Sequence, residues 1–179
     1  MIKQEYLEKL KKFINLRDKK LYLTEILLCS IALGEELSPD LYNKKKVEQA
    51  FNGLRRYKFV RHTKQHGKNT YSLTPKGKTK IGSIIIDNIE IKTQKHWDGK
   101  WHLVMYDLPI RFKKARNAFR WKLKDIGFFK FQKSAWIYPY PCEGEILFVA
   151  DFFGVSKYIE ILEVDKILDD RKLKYHFNL

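Results

Sequence analysis

Residues Asn43 to Gly77 run NKKKVEQAFNGLRRYKFVRHTKQHGKNTYSLTPKG. Val47, Ala50, Phe51 and Leu54 recur at helical spacing, and Asn43 stands where the first turn needs a cap. The spacing predicts a helix over 44–57. Lys58–Thr63 reads as a strand, Gln65–Lys68 as a turn containing Gly67, and Asn69–Leu73 as the returning strand. Thr74-Pro75 is a cap followed by proline at the first helical position, opening a helix through Ile81, Ile84, Ile85 and Ile89. Before this stretch, Ser38-Pro39 opens a short helix ending near Tyr42. Leu23, Ile26, Leu27 and Ile31 predict a helix over 21–33 with Gly34 at its C′ position. Tyr6, Leu7, Leu10, Phe13 and Ile14 predict another over 2–15. The order of helix, short helix, helix, hairpin and helix is that of a winged helix-turn-helix, assigned to residues 1–90.

Residues 90–96 are polar and read as a linker. After them the pattern changes. Trp101–Asp107 is an apolar strand, and Phe112, Ala115, Phe119, Leu123 and Ile126 mark a helix ending at Gly127. Phe128–Phe131 and Ser134–Tyr138 read as two strands or as one strand bent near Gln132, ended by Pro139 and Pro141. Glu143–Phe153 is a helix closed by Gly154, and Tyr158–Val164 a final strand. This βαββαβ order fits a ferredoxin-like sandwich over residues 97–179, making the whole chain α+β.

The 179 residues carry a formal net charge of +15, which favours a polyanionic partner. The charge is uneven: residues 1–95 carry +11 and residues 96–179 carry +4. Residues 44–80 hold 12 basic side chains against the single acid Glu48, interleaved with regularly spaced apolar residues. That stretch reads as a folded basic surface. Cys29 and Cys142 have no zinc-site spacing and no disulfide framework, which fits a reducing cytoplasm. The N-terminus has no signal-peptide core, and no apolar run approaches the ~20 residues of a membrane span, so no membrane partner is expected.

At about 100° per residue, Lys45, Gln49, Asn52 and Arg56 fall opposite the apolar stripe of helix 44–57. A major groove admits one helix; arginine pairs with guanine and amide side chains with adenine there, so this face suits base reading. Lys44, Lys46, Arg55 and Arg61 are placed for phosphates. Lys64, Gln65, His66 and Lys68 sit at the tip of the hairpin, suited to phosphate or minor-groove contact. The expected partners are double-stranded DNA and a second copy of the chain, with no cofactor. Asp107 closes the first strand of the second domain. A lone carboxylate holds a divalent ion poorly, whereas two meeting across a dimer axis could hold one; capping a turn or the following helix is its ordinary role. Lys113, Arg116, Arg120 and Lys124 form a basic stripe read as a solvated face. The aromatics Phe128, Phe129, Phe131, Trp136 and Tyr138 are expected in a core. No triad, phosphate loop or histidine metal cluster is present in the sequence.

The run from Trp97 to Tyr140, WDGKWHLVMYDLPIRFKKARNAFRWKLKDIGFFKFQKSAWIYPY, resembles the central domain of PaaX-family transcriptional regulators. Its marks are Trp97-Asp98-Gly99-Lys100-Trp101, Tyr106-Asp107-Leu108-Pro109 and Gln132-Lys133-Ser134-Ala135-Trp136, and the tail from Ile161 to Phe177 is also similar. The segment Tyr71-Ser72-Leu73-Thr74-Pro75-Lys76-Gly77 resembles the end of the wing in bacterial winged-helix regulators. That central domain is similar to CRISPR-associated protein 2 (Cas2), a small dimeric adaptation nuclease. The resemblance implies a homodimeric repressor, with the winged helix on the operator and the Cas2-like domain pairing the subunits. Its alternative is a metal-dependent endonuclease or spacer-integration subunit, with Asp107 as ligand and catalytic residue for Mg²⁺ or Mn²⁺. The second acidic position of that strand-end motif is missing: Leu108, Pro109, Ile110 and Arg111 follow. PaaX-type regulators carry a further C-terminal domain that these residues do not contain. Any small-molecule effector is left unspecified.

Overall fold

A computed structural model describes residues 22–34, 43–65 and 68–179, and the chain divides into two compact units at Asn88/Ile89. The helices expected over 2–15 and 39–42 lie outside the described residues.

In the first unit, α1 spans Leu23–Leu33 and buries Leu27, Leu28, Cys29 and Ser30. Gly34 ends it in the left-handed conformation, φ 68°, and its N–H donates to the Ser30 carbonyl. Helix α2 spans Lys44–Arg56, strands β1 and β2 span Val60–Gln65 and Lys68–Leu73, and α3 spans Pro75–Asp87. The strands pair antiparallel from Val60↔Leu73 to Gln65↔Lys68. Helix α1 packs against α2, α3 and β2, and Lys80 on α3 reaches Glu25 on α1 at 3.5 Å.

The chain leaves α2 differently from the sequence reading. Lys58 is no strand residue; it sits at φ 58°, left-handed. Its N–H donates to the Arg55 carbonyl, and the Phe59 N–H donates to the Leu54 carbonyl. This is a Schellman cap with lysine where glycine is usual, so β1 starts two residues late, at Val60. The other end of the hairpin is tied by Thr74. Its hydroxyl accepts from the Gly77 N–H at 3.0 Å and donates to the Lys58 carbonyl at 2.6 Å, while its N–H donates to the Phe59 carbonyl. One side chain therefore caps α3 and fastens it to the turn after α2.

In the second unit, β3 is Trp101–Tyr106, α4 Lys113–Asp125, β4 Phe129–Gln132, β5 Ala135–Tyr138, α5 Glu143–Phe152, β6 Ile159–Val164 and α6 Arg171–Phe177. The sheet order is β4-β5-β3-β6, with every neighbouring pair antiparallel. This is the ferredoxin-like βαββαβ arrangement. Residues 128–138 make two strands, with an irregularity between Lys130 and Gln132. Period-two alternation divides β3 between the two faces of the sheet. On one face Tyr106 meets Phe119 of α4 edge-on at 5.7 Å, and His102 bonds Glu143 of α5 at 3.0 Å. On the other, Trp101 and Ile137 are buried with Leu173 of α6, flanked by Trp97, Leu103, Phe129 and Phe177. Helix α6 was not expected from the sequence: its seven residues contribute only Leu173 as a buried side chain, too few for a periodic stripe. No helix among the described residues is long and apolar enough to cross a membrane.

Candidate nucleic-acid interface

Helix α2 begins because Asn43 Oδ1 accepts from the Lys45 and Lys46 N–H groups, at 3.0 and 3.3 Å. Ala50 and Leu54 are buried and Val47 and Phe51 half-buried, which fixes the roll of the helix. Lys45, Gln49, Asn52 and Arg56 are all exposed on the opposite side, and Lys44, Lys46 and Arg55 are exposed beside them. Glu48 is the only acid on the helix. The Arg56 guanidinium lies over the exposed Tyr57 ring, 5.2 Å from its centroid, which restrains a side chain that otherwise has many rotamers.

The hairpin is fastened to this helix through aromatic contacts. The Phe51 ring of α2 stacks on Tyr71 of β2 at 4.5 Å, and Tyr71 meets His62 of β1 at 5.0 Å. Those contacts define the hairpin face that meets α2. Lys64 shares that face by alternation with His62, and is exposed. Arg61 is exposed on the opposite face, paired with Ser72. The structure thus brings Lys64 to the side of α2 and sends Arg61 away from it. Lys68 is the first residue of β2; its side chain, the Gln65 side chain and His66 lie outside the described residues. One cation of this region escaped the sequence reading: Lys58 is exposed directly after the C-terminal end of α2.

In the second unit, Asp107 is exposed just past β3. Its N–H donates to the Tyr158 carbonyl at 3.2 Å, and Arg111 donates to the Tyr158 hydroxyl at 3.3 Å. The Arg111 hydrogen bond, helped by Lys157, holds that phenol below its usual pKa. Tyr158 thus ties the Asp107 backbone to the Arg111 side chain. No group of three or more His, Cys, Asp and Glu side chains that could hold a metal occurs among the described residues. One chain offers a single carboxylate here, whereas Mg²⁺ and Mn²⁺ take several oxygen ligands. The expected basic stripe on α4 is not uniformly solvated: Lys113 and Lys124 are exposed, but Arg116 and Arg120 are half-buried, because their positions flank the core-facing side. The aromatics Phe128, Trp136 and Tyr138 are buried, Phe129 is half-buried and Phe131 exposed, so they serve mainly as core.

His102 is almost wholly buried, with Nδ1 on Glu143 and Nε2 without a hydrogen-bond partner. Cys29 and Cys142 are free and buried. Burial, with Glu25 nearby, pushes the Cys29 thiol up to about 12, and burial raises Cys142 as well.

Residues 94–174 match the family model of the PaaX protein central Cas2-like domain. No curated protein matches the chain.

Proposed function

We propose that this chain, whose residues 94–174 match the PaaX central Cas2-like domain model, is a homodimeric transcriptional repressor. In this reading its first unit is a winged helix that binds double-stranded DNA. The observation that carries the reading is the exposed face of α2. Lys45, Gln49, Asn52 and Arg56 lie together opposite a buried stripe, flanked by cations and braced against the hairpin by the Phe51–Tyr71 stack. Those side chains match the donor and acceptor pattern of base edges in a major groove. Lys44, Lys46, Arg55 and Lys64 supply charge for phosphates beside it, with Arg61 on the far face of the hairpin and Lys68 a further phosphate contact of the same reading.

The test is selection of bound duplexes from a random pool, followed by affinity measurements over a range of salt concentrations. Arg56→Ala is expected to weaken binding to the selected site by about 1–3 kcal/mol and to relax preference at one base pair. Lys68→Ala is expected to weaken binding to all sequences alike and to reduce the salt slope by about one. Unaltered binding in both variants overturns the assignment of this surface. The nuclease alternative is checked by duplex and single-strand cleavage with added Mg²⁺ or Mn²⁺. Cleavage lost in Asp107→Asn would replace the non-catalytic reading.

A further inference from the structure

Helix α4 carries a feature that duplex binding by the first unit does not use. Asn117, Arg120, Trp121 and Lys124 follow one another at i, i+3, i+4 and i+7, so they share one side of the helix. With Trp136 of β5 they line an open cleft of about 290 Å³. Trp121 is 65% exposed, while Phe119, two residues earlier, is fully buried. The exposed indole offers an aromatic face at the edge of this cleft. Trp136 forms a fixed wall, because it is buried and its Nε1–H donates to the Tyr106 hydroxyl at 3.3 Å. Arg120 is half-buried, and its Nε, itself buried, has no hydrogen-bond partner. A buried cationic N–H without an acceptor is a standing cost that an anionic oxygen would relieve. None of the five lining residues is acidic.

We propose that this cleft binds a single nucleotide unit, with the base stacked on Trp121, its edge within reach of the Asn117 amide, and the phosphate held by Arg120 and Lys124. An aromatic face beside two cations is the combination that holds an unpaired base with its phosphate. The volume of about 290 Å³, just under the ~300–1,000 Å³ range of small-molecule sites, suits no more than one such unit. Bases paired inside a duplex have both faces covered by their neighbours and do not present a ring to Trp121. Two sources share this chemistry: a free nucleotide, and an unpaired strand of nucleic acid. The inference stands on residues of the second unit alone and does not depend on the duplex-binding reading of α2.

The experiment titrates the full chain with AMP, with inorganic phosphate, with a single-stranded oligothymidylate and with a random duplex, read by tryptophan fluorescence and by calorimetry. Quenching by AMP places a free nucleotide in the cleft; quenching by the oligothymidylate alone places an unpaired strand there. In either case Trp121→Ala is expected to remove the quenching and weaken affinity about tenfold or more, with Trp121→Phe retaining part of it. Lys124→Ala is expected to weaken binding and lower its salt dependence. The remaining emission of Trp97, Trp101 and Trp136 reports whether each variant keeps its fold. The proposal is overturned if neither AMP nor the oligothymidylate binds, or if affinity is unchanged in Trp121→Ala. It also fails if inorganic phosphate binds as tightly as AMP, or if Trp121→Ala alters only the oligomeric state. Loss of duplex binding in α2 variants, with nucleotide binding intact, would leave this site standing.

Discussion

Thr74, Gly77 and Lys58 show how single residues fix the first unit. A Cβ at Gly77 would fall far inside van der Waals contact distance of the Phe59 carbonyl oxygen, a backbone atom with little freedom to move. Gly77→Ala is therefore expected to cost about 1–3 kcal/mol of stability by overpacking, and Thr74→Ala about 1 kcal/mol by loss of the cap, both read by denaturant unfolding. Lys58 is the opposite case. Its left-handed backbone costs a side-chain-bearing residue about 1–2 kcal/mol, so Lys58→Gly should raise stability by about that amount. On the proposed function, the same change should weaken duplex binding and flatten its salt dependence. A variant both more stable and a poorer binder would mark Lys58 as a contact retained against the backbone's preference. The thiol of Cys29 adds a pH dependence. Raised from 9.0 to about 12 by burial, it stays protonated in the folded chain while the unfolded thiol ionises. Its contribution is present below about pH 9 and is lost as pH rises toward about 12. Cys29→Ala should lessen the fall in stability over that alkaline range, measured by unfolding at successive pH values. The Thr74-Pro75 signal was legible in the sequence because capping is a local reaction of a side chain with its own next turn. The Schellman cap at Lys58 was not, because lysine carries no mark of a left-handed backbone.

At the scale of elements, the α2 stripe and the hairpin were readable from periodicity, and the structure added what holds them together. Phe51 and Tyr71 lie twenty residues apart in sequence and meet at 4.5 Å. That stack decides which hairpin face meets α2, and so why Lys64 and Arg61, both basic and both exposed, project to opposite sides. Helix α6 makes the complementary point. It has no stripe of its own, yet it covers one face of the four-stranded sheet through Leu173 against Trp101 and Ile137. Leu173→Ala should cost about 2–5 kcal/mol, as for other buried leucines. The check is thermal unfolding followed by tryptophan emission, since Trp97 and Trp101 lie in the same cluster. A loss well under ~1 kcal/mol would mean that α6 contributes little to the sheet's stability.

For the whole molecule, the expected outcome concerns symmetry. A homodimer with two equivalent α2 helices calls for an inverted-repeat site, its half-sites centred about 34 Å or a multiple apart along the DNA. Footprinting of the selected duplex checks this, with light scattering to establish the dimer. A direct repeat or a single half-site would sink the dimeric reading. The α+β class, the βαββαβ order of the second unit, the caps at Asn43 and Thr74 and the concentration of positive charge in residues 44–80 were legible from residue order alone. All of these follow from local rules of period, propensity and charge that need no distant neighbour. Packing between elements set what residue order leaves open: Arg56 rests on Tyr57, His102 is buried against Glu143, Arg116 and Arg120 are half-buried, and Trp121 stands exposed over a cleft. A side chain's surroundings are set by how elements roll and pack against each other. In the α2 helix that roll left the face expected to meet DNA open; in α4 it turned a stripe read as solvated into the rim of a second candidate site.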